Sequence, residues 1–132
     1  MSSFGFQKGN IIQEFGYDDD VAAQVRAQIE ETIGSALVDE DSRDIVDGAI
    51  AWWRADDGDV DDLTDLLLDI KANFDDENAI CWLFVPTGRV SNAVPHNDIE
   101  EAADTAGMQP TTSEALGESW TGVRLTNKGL RY

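Results

Sequence analysis

The residues of this chain best suited to chemistry lie in one acidic segment, AIAWWRADDGDVDDLTD, at residues 49–65. The segment joins two adjacent tryptophans to six aspartates and one glycine. Clustered carboxylates can bind Ca²⁺ or Mg²⁺, and tryptophan rings can bind organic cations or anchor a protein partner. The segment therefore suggests a metal site, a ligand pocket, a partner surface, or only the junction between a strand and an acidic helix.

The spacing of these carboxylates does not match a calcium-binding loop. An EF-hand needs acidic or amide side chains at its first, third and fifth positions, glycine at the sixth and glutamate at the twelfth. With Gly58 at the sixth position, Trp53 and Thr64 fall on the first and the twelfth. Starting the loop at Asp57 instead puts Leu68 at the twelfth. We therefore interpret the acidic loop as the solvated start of a helix. The remaining alternative is a loose contact with Mg²⁺ or Ca²⁺.

The chain holds a single cysteine, Cys81, and a single histidine, His96. These two residues are too few for a zinc site, and no G-x-S-x-G motif indicates a serine nucleophile. Cys81 lies in the apolar run AICWLFV, where burial raises the pKa of a thiol and makes it unreactive. No carboxylate is enclosed by apolar residues strongly enough to predict a raised pKa, so we predict no catalytic residue. The spacing of the carboxylates and the shortage of Cys and His predict no dedicated metal site.

Acidic residues outnumber basic residues by 27 to 9, which gives a formal net charge of −18. Of these, 21 acidic but only 4 basic residues lie between positions 14 and 77. Without a basic patch, direct binding to nucleic acid or to an anionic membrane is not expected. The negative electrostatic field of these residues favours a protein partner with a basic surface. Alternatively, the charge only keeps the protein in solution. The lone cysteine, and the lack of a signal-peptide pattern or a long apolar run, predict a cytoplasmic protein.

Apolar periodicity in the first third of the chain predicts a strand, a helix and a second strand. The strand is NIIQEF at residues 10–15, and the helix is DDDVAAQVRAQIEETIG at 18–34. Asp18 to Asp20 offer N-caps for this helix, and Gly34 is a natural end. Its apolar stripe consists of Val21, Val25, Ile29 and Ile33. The run ALV at 36–38 predicts a very short strand.

The middle of the chain predicts two strands around an amphipathic helix. IVDGAIAWW (45–53) predicts a strand centred on 49–53, with a helical turn before it as an alternative. DVDDLTDLLLDIKANF predicts the helix at 59–74. Its buried face consists of Leu63, Leu66, Leu67, Ile70 and Phe74. AICWLFV at 79–85 has no polar alternation, which is typical of a strand buried on both faces in the middle of a sheet.

The last third predicts a helix at 96–107, capped by Asn97 or Asp98, and then two strands at 108–116 and 119–127. The connection between these strands is too short for a crossover, so they are antiparallel. The alternation of elements predicts an α/β class of fold with three layers. Its sheet is mainly parallel, with about five to six strands of which the last two are antiparallel.

The length fits a single α/β domain over residues 1–132. Adjacent residues of a strand point to opposite faces of the sheet, so Trp52 and Trp53 have different surroundings. One fills the core, and the other faces a helix layer or solvent, where it could bind a Lys- or Arg-rich partner. The candidate partner-binding residues are Trp52, Trp53, Asp56, Asp57, Asp59, Asp61 and Asp62. The alternative interpretation is that helices cover both tryptophans.

Nearly the whole chain is covered by four distinctive stretches. They are KGNIIQEFGYDDDV, LVDEDSRDIVDGAIAWWRADDGDVDDL, ICWLFVPTGRV, and DIEEAADTAGMQPTTS followed by SWTGVRL. In these stretches the chain resembles an uncharacterised actinobacterial family known only as a domain of unknown function. The resemblance implies a family but no activity.

That family is in turn similar to a reduced, degenerate class I methyltransferase fold, a minimal Rossmann arrangement. NIIQEFG then corresponds to the first strand and the cofactor turn, and IVDGAIAWW to a strand that follows a missing helix–strand unit. The resemblance implies Gly16 and Asp39 as the positions that would hold S-adenosylmethionine, with Asp39 near its ribose. The methyltransferase turn carries G-x-G-x-G, whereas here Gly16 is followed by Asp18 to Asp20, which disfavour phosphate at the helix start.

These observations lead to three hypotheses about function. The leading one is a non-catalytic protein-binding or regulatory module, without a cofactor, whose acidic face binds a protein with a basic surface. The second is an enzyme or sensor that binds S-adenosylmethionine or a nucleotide near Gly16. The third is a DNA mimic that inhibits a nucleic-acid-binding protein through its aspartates.

Overall fold

The computed structural model describes residues 4–42, 45–74, 79–86, 94–116 and 120–127. Its elements in chain order are β1 (Ile12–Phe15), α1 (Ala23–Ile33), β2 (Gly48–Trp52), α2 (Val60–Ala72), β3 (Ile80–Pro86), α3 (His96–Thr105), β4 (Met108–Leu116) and β5 (Trp120–Asn127). A short 3₁₀ turn at Ala55–Asp57 connects β2 to α2. None of the helices in the described ranges is both long and apolar enough to cross a membrane.

The five strands form one mixed sheet in the order β1-β2-β3-β5-β4. β1, β2 and β3 are parallel, β5 is antiparallel to β3, and β4 is antiparallel to β5. Four strands therefore run in one direction and only β5 is reversed. The predicted α/β class, the parallel sheet and the antiparallel final pair are confirmed, and β3 is the central strand as expected. The predicted turn between β4 and β5 lies outside the described residues.

The predicted strand at 36–38 is reduced to a single parallel bridge on the outer edge of β1. The amide of Val38 donates to the carbonyl of Ile12 at 2.9 Å, and the amide of Glu14 donates to the carbonyl of Val38 at 2.8 Å. The bridge satisfies backbone groups of an edge strand that would otherwise be open to pairing with another chain. The chain therefore leaves β1, touches its outer edge, and returns to form β2 on its other side.

Helices cover both faces of the sheet and bury two apolar clusters. The face covered by α1 contains Ile50, Trp52, Trp82 and Phe84. The face covered by α2 and α3 contains Ala49, Ala51, Trp53 and Leu83. The N-terminal segment covers the same sheet face as α1. Phe4 and Phe6 pack in that cluster, and the indole of Trp82 donates to the carbonyl of Phe4 at 2.7 Å. This arrangement is the predicted three-layer architecture.

The predicted start of α1 is wrong, and so are the predicted caps of α1 and α3. α1 begins at Ala23 after Ala22 and has no side-chain cap, so Asp18 to Asp20 do not cap it. The reason is tertiary, because the Asp20 carboxylate pairs with Arg54 instead. α3 begins at His96 as predicted, but its N-cap is Pro95 in an extended conformation (φ −60°, ψ 139°) rather than Asn97 or Asp98, so no side chain caps it.

Two other local expectations are confirmed, and a third is not. Gly34 ends α1 in the left-handed region at φ 83°, and its amide donates to the carbonyl of Glu30. The predicted face of α2 packs against the core, with Leu66 and Phe74 partly buried at its margins. The helical turn considered before β2 is not formed in residues 45–47, where Val46 instead bridges to Phe74.

Candidate functional site

A cleft of about 300 Å³ opens at the carboxyl ends of β1 and β2. The order in which the chain adds strands to the sheet changes side here. The segment before Asp39 bridges to one edge of β1, and β2 pairs with the other edge. Such a reversal is where ligands bind in open α/β sheets. The cleft is lined by Phe15, Gly16, Tyr17, Asp18, Glu40, Trp52, Trp53, Arg54, Asp57 and Leu66.

Gly16 is required here by close packing of two backbones. Its φ of 74° lies in the left-handed region, and a Cβ atom at this position would come within 2.3 Å of the carbonyl oxygen of Trp52. The place of a Gly16 side chain is therefore taken by β2 itself. A methyltransferase turn uses its glycines to bring backbone close to a cofactor, whereas this glycine brings the turn close to the neighbouring strand.

The backbone polar groups of Gly16 are bonded to side chains of the same chain. Its amide donates to Oε1 of Glu40 at 3.0 Å, and its carbonyl accepts from Nη1 of Arg54 at 2.8 Å. A carboxylate on this amide is what an anionic ligand group would have to displace. The cleft is therefore poorly suited to a phosphate or carboxylate at the turn after β1.

Arg54 is the central polar residue of the cleft wall and is only 7% exposed. Its guanidinium also donates to the carbonyl of Trp52 at 3.2 Å and to both carboxylate oxygens of Asp20. The same group lies 5.4 Å from the ring centre of Trp120. Burial works against the charge of Arg54, but hydrogen bonds and charge pairing with Asp20 and Asp57 prevail and raise its pKa. The Arg54 hydrogen bond lowers the pKa of Asp20 in turn.

A second buried network lies behind the cleft on the α1 face. The carboxylate of Glu14 is only 7% exposed and accepts from Arg26 at 2.6 and 2.8 Å and from the indole of Trp52 at 2.9 Å. The hydrogen bond to Glu14 raises the pKa of Arg26. The guanidinium carbon of Arg26 lies 4.6 Å from the ring centre of Tyr17, which stays 56% exposed at the cleft. These contacts fix the position of the turn after β1.

Trp52 and Trp53 point to opposite faces of the sheet, as expected, but neither is an exposed partner residue. Trp52 is fully buried beneath α1, and Trp53 is 9% exposed beneath α2. Of the two alternatives, the structure shows the one in which helices cover both tryptophans. Both contribute instead to the wall of the cleft.

The five aspartates predicted to bind a partner are all exposed, and three of them have local structural roles. Asp57 accepts from the amide of Arg54 at 2.9 Å. Asp59 and Asp62 form a reciprocal capping box at the start of α2, with both amide-to-carboxylate distances at 3.0 Å. Among the described residues, Asp56 and Asp61 have no hydrogen-bond or ion-pair partner and remain open to solvent.

Asp39 lies beside the cleft rather than in it. Its carboxylate accepts from the amide of Asp41 at 3.1 Å, which stabilises the local turn. The next residue, Glu40, is the one that lines the cleft. The sequence reasoning missed Glu40, Arg54 and the Glu14 network. A usable signal was present, since Arg26 and Arg54 are isolated basic residues within strongly acidic stretches.

The described residues contain no group of three or more His, Cys, Asp or Glu side chains arranged to hold a metal ion. Cys81 is buried in β3, and burial raises its pKa to about 12. The thiol is therefore neutral at physiological pH and unsuited to nucleophilic attack, as its apolar surroundings predicted.

The fold is Rossmann-like, and its neighbours among solved structures are class I methyltransferases. The structure of the mitomycin 7-O-methyltransferase MmcR has a TM-score of 0.66 at 10% identity, over 91% of this chain and 50% of that chain. This chain therefore spans half the length of that enzyme. A putative type 11 methyltransferase from Sulfolobus solfataricus has a TM-score of 0.60 at 14% identity, over 95% and 88% of the two chains. At such identities the likeness concerns the fold alone.

The family is settled by the sequence comparison. Residues 1–129 match the family described as "Protein of unknown function (DUF3052)", and the chain belongs to this family. The uncharacterized protein Rv2239c of Mycobacterium tuberculosis (strain ATCC 25618 / H37Rv) is 41% identical over 128 residues, which are 96% of this chain and 77% of that protein. A protein of the same description from Mycobacterium bovis, Mb2263c, matches to the same extent. The expected resemblances to an uncharacterised family and to a methyltransferase fold are confirmed.

Proposed function

We propose that this protein is a non-catalytic binding module for a cytoplasmic protein with a basic surface. The observation that carries the proposal is the internal bonding of Gly16, whose amide and carbonyl are engaged by Glu40 and Arg54. A cofactor would need these backbone groups at the turn after β1. A scaffold whose turn is bonded to its own side chains is better suited to recognition than to catalysis.

The acidic surface of α2 supports the choice of a basic partner. Asp61, Asp65 and Asp69 follow each other at intervals of four residues and lie on one exposed stripe of the helix. Leu68 is 46% exposed beside this stripe. An apolar side chain among carboxylates suits a partner segment that presents lysine or arginine around an apolar residue.

Co-purification of the tagged full chain from its own host at low and at high salt tests the proposal. We expect a basic protein to be retained at low salt and released at high salt, because screening weakens attraction between exposed charges. The matched variant is Asp61→Asn/Asp65→Asn/Asp69→Asn, which keeps side-chain shape and removes three charges. Retention that is insensitive to salt contradicts the electrostatic proposal, and retention that is equal in the variant shows that the acidic stripe of α2 does not contribute to it.

A second candidate is an S-adenosylmethionine-binding sensor or enzyme. It is favoured by the cleft of about 300 Å³ at the carboxyl ends of β1 and β2 together with the methyltransferase-like fold. Calorimetry with S-adenosylmethionine separates the candidates. Saturable heat that disappears in Gly16→Ala but not in Asp65→Asn would favour this second candidate over the binding module. Competition by duplex DNA for the retained partner would instead favour a DNA mimic.

A further inference from the structure

We propose that the cleft beside Gly16 receives a single lysine side chain of the basic partner. This inference rests on the proposed function and goes further, because it assigns the anchoring contact to the cleft rather than to the open surface of α2. The proposed ligand of this cleft is a cationic side chain, which differs in chemical class from a nucleotide cofactor.

The charges around the cleft favour a cation. Three carboxylates contribute to its lining, from Asp18, Glu40 and Asp57. Among the described residues that line the cleft, Arg54 is the one cation, and it is already paired with Asp20 and Asp57. An entering ammonium therefore meets an excess of negative charge, and an entering carboxylate or phosphate meets repulsion.

The geometry of the lining favours lysine in particular. The three carboxylates come from separate segments of the chain, which follow β1, the bridge at Val38 and β2. An ammonium has three donors and no preferred plane, so it can serve acceptors on several sides, whereas a guanidinium is suited to one planar carboxylate. Arg54 already fills that planar role with Asp20.

The apolar part of the lining suits the aliphatic stem of lysine. Phe15, Trp53 and Leu66 form this part on the α2 side. Tyr17 stands at the cleft with 56% of its surface exposed, and one guanidinium, that of Arg26, already lies against its ring. An aromatic ring beside carboxylates attracts a second cation by the same quadrupole interaction. The stem is therefore covered by apolar atoms while the ammonium reaches charge.

Peptide binding to the full chain tests the assignment. The probe is a fluorescent peptide whose only charged group is one lysine next to a leucine, and its partner probe carries acetyl-lysine at the same position. The cleft variant is Asp18→Asn/Glu40→Gln, which keeps acceptors for the amides of Asp19 and Gly16. The matched surface variant is Asp65→Asn/Asp69→Asn, which removes the same charge from α2.

We expect the lysine probe to bind about tenfold more tightly than the acetyl-lysine probe, and the cleft variant to lose about tenfold in affinity. The surface variant should lose less than about threefold. Equal losses in both variants overturn the cleft assignment but leave the acidic binding module intact. Failure of the native chain to bind any lysine-bearing probe, even a lysine-rich one at low salt, overturns the proposed function itself.

Discussion

Two residues decide the shape of the turn after β1, namely Gly16 and Arg54. Gly16 lets the turn lie against the backbone of β2, and Arg54 ties the same turn to the carbonyls of Gly16 and Trp52. Buried donors and acceptors left unpaired cost more than their hydrogen bonds contribute. The two residues therefore act together, one by lacking a side chain and the other by satisfying the backbone groups that the close approach buries.

Gly16→Ala is expected to lower the free energy of unfolding by about 2–4 kcal/mol. A left-handed backbone costs an alanine about 1–2 kcal/mol, and the clash with the carbonyl of Trp52 adds to this cost. Urea denaturation measures the difference. The control is Gly9→Ala, where φ is 95° but no atom lies within 4 Å of the added Cβ. Equal losses at Gly9 and Gly16 would contradict the packing role.

The ion pair between Asp20 and Arg54 predicts a specific pH dependence. The folded pKa of Asp20 is lowered from its ordinary value of 3.8, chiefly by the Arg54 hydrogen bond. The pair therefore stabilises the fold above that value, and its contribution is lost as pH falls through the lowered folded pKa.

We expect native protein to be more stable than Asp20→Asn near neutral pH, with the difference shrinking below about pH 4. Urea titrations of both proteins across this range measure it. Asp19→Asn is the control, because it removes the charge of the residue next to Asp20 and leaves the contact between Asp20 and Arg54 in place. A difference that is constant down to pH 2, to within about half a kcal/mol, would mean that the pair does not stabilise the fold.

At the scale of elements, the start of α2 is fixed locally and the start of α1 is not. Asp59 and Asp62 cap α2 within the helix itself, in the reciprocal pattern that a sequence can reveal. α1 follows three aspartates and yet begins without a side-chain cap. The difference arises because Asp20 is drawn to Arg54, a residue 34 positions further along the chain.

Replacing the cap of α2 by Asp59→Ala is expected to cost about 1 kcal/mol of stability, because the amide of Asp62 loses its acceptor. Thermal unfolding followed by circular dichroism measures this loss. Asp61→Ala is the control, because it removes the same charge from the first turn of the helix but no capping hydrogen bond. It should change stability by only a few tenths of a kcal/mol. A larger effect at Asp61 than at Asp59 would show that charge, rather than the cap, governs this helix start.

At the scale of the whole molecule, the dominant property is the net charge of −18 on 132 residues. Many of the carboxylates lie on the exposed side of α2 and in the turns at the carboxyl edge of the sheet. Like charges at such density repel each other in the compact state more than in the expanded chain. The molecule therefore loses some stability to this repulsion, and the same charges surround it with a strongly negative field.

Added salt is expected to stabilise the protein, because screening reduces this repulsion. Raising NaCl from about 0.01 M to about 0.1 M shortens the Debye length from about 30 Å to about 10 Å and should raise Tm by roughly 3–5 °C. Differential scanning calorimetry measures the shift. The variant Asp61→Asn/Asp65→Asn/Asp69→Asn should show a smaller rise. A Tm that falls with salt would indicate that attractive ion pairs outweigh repulsion.

The sequence by itself determined the elements and the class of fold. Apolar periodicity predicted α1 and α2, the unbroken apolar run predicted central β3, and Gly34 marked the end of α1 by a local rule. These features depend on residues a few positions apart, so a pattern in the chain is sufficient to reveal them. The charge excess on the segment from 14 to 77 was equally visible.

Only the tertiary structure decided what surrounds Gly16. The burial of both Trp52 and Trp53 depends on helices packing on both faces of the sheet, and the contact of Arg54 with Asp20 joins residues far apart in sequence. Whether Asp39 or Glu40 lines the cleft depends on how the chain turns after the bridge at Val38, and the structure places Glu40 there. Periodicity reports which face a residue takes, but not which distant backbone passes beside it. The acidic segment after Trp53 therefore forms one side of a cleft, and Arg54 of that segment bonds to the turn on the other side. Neither fact could be inferred from the order of residues alone.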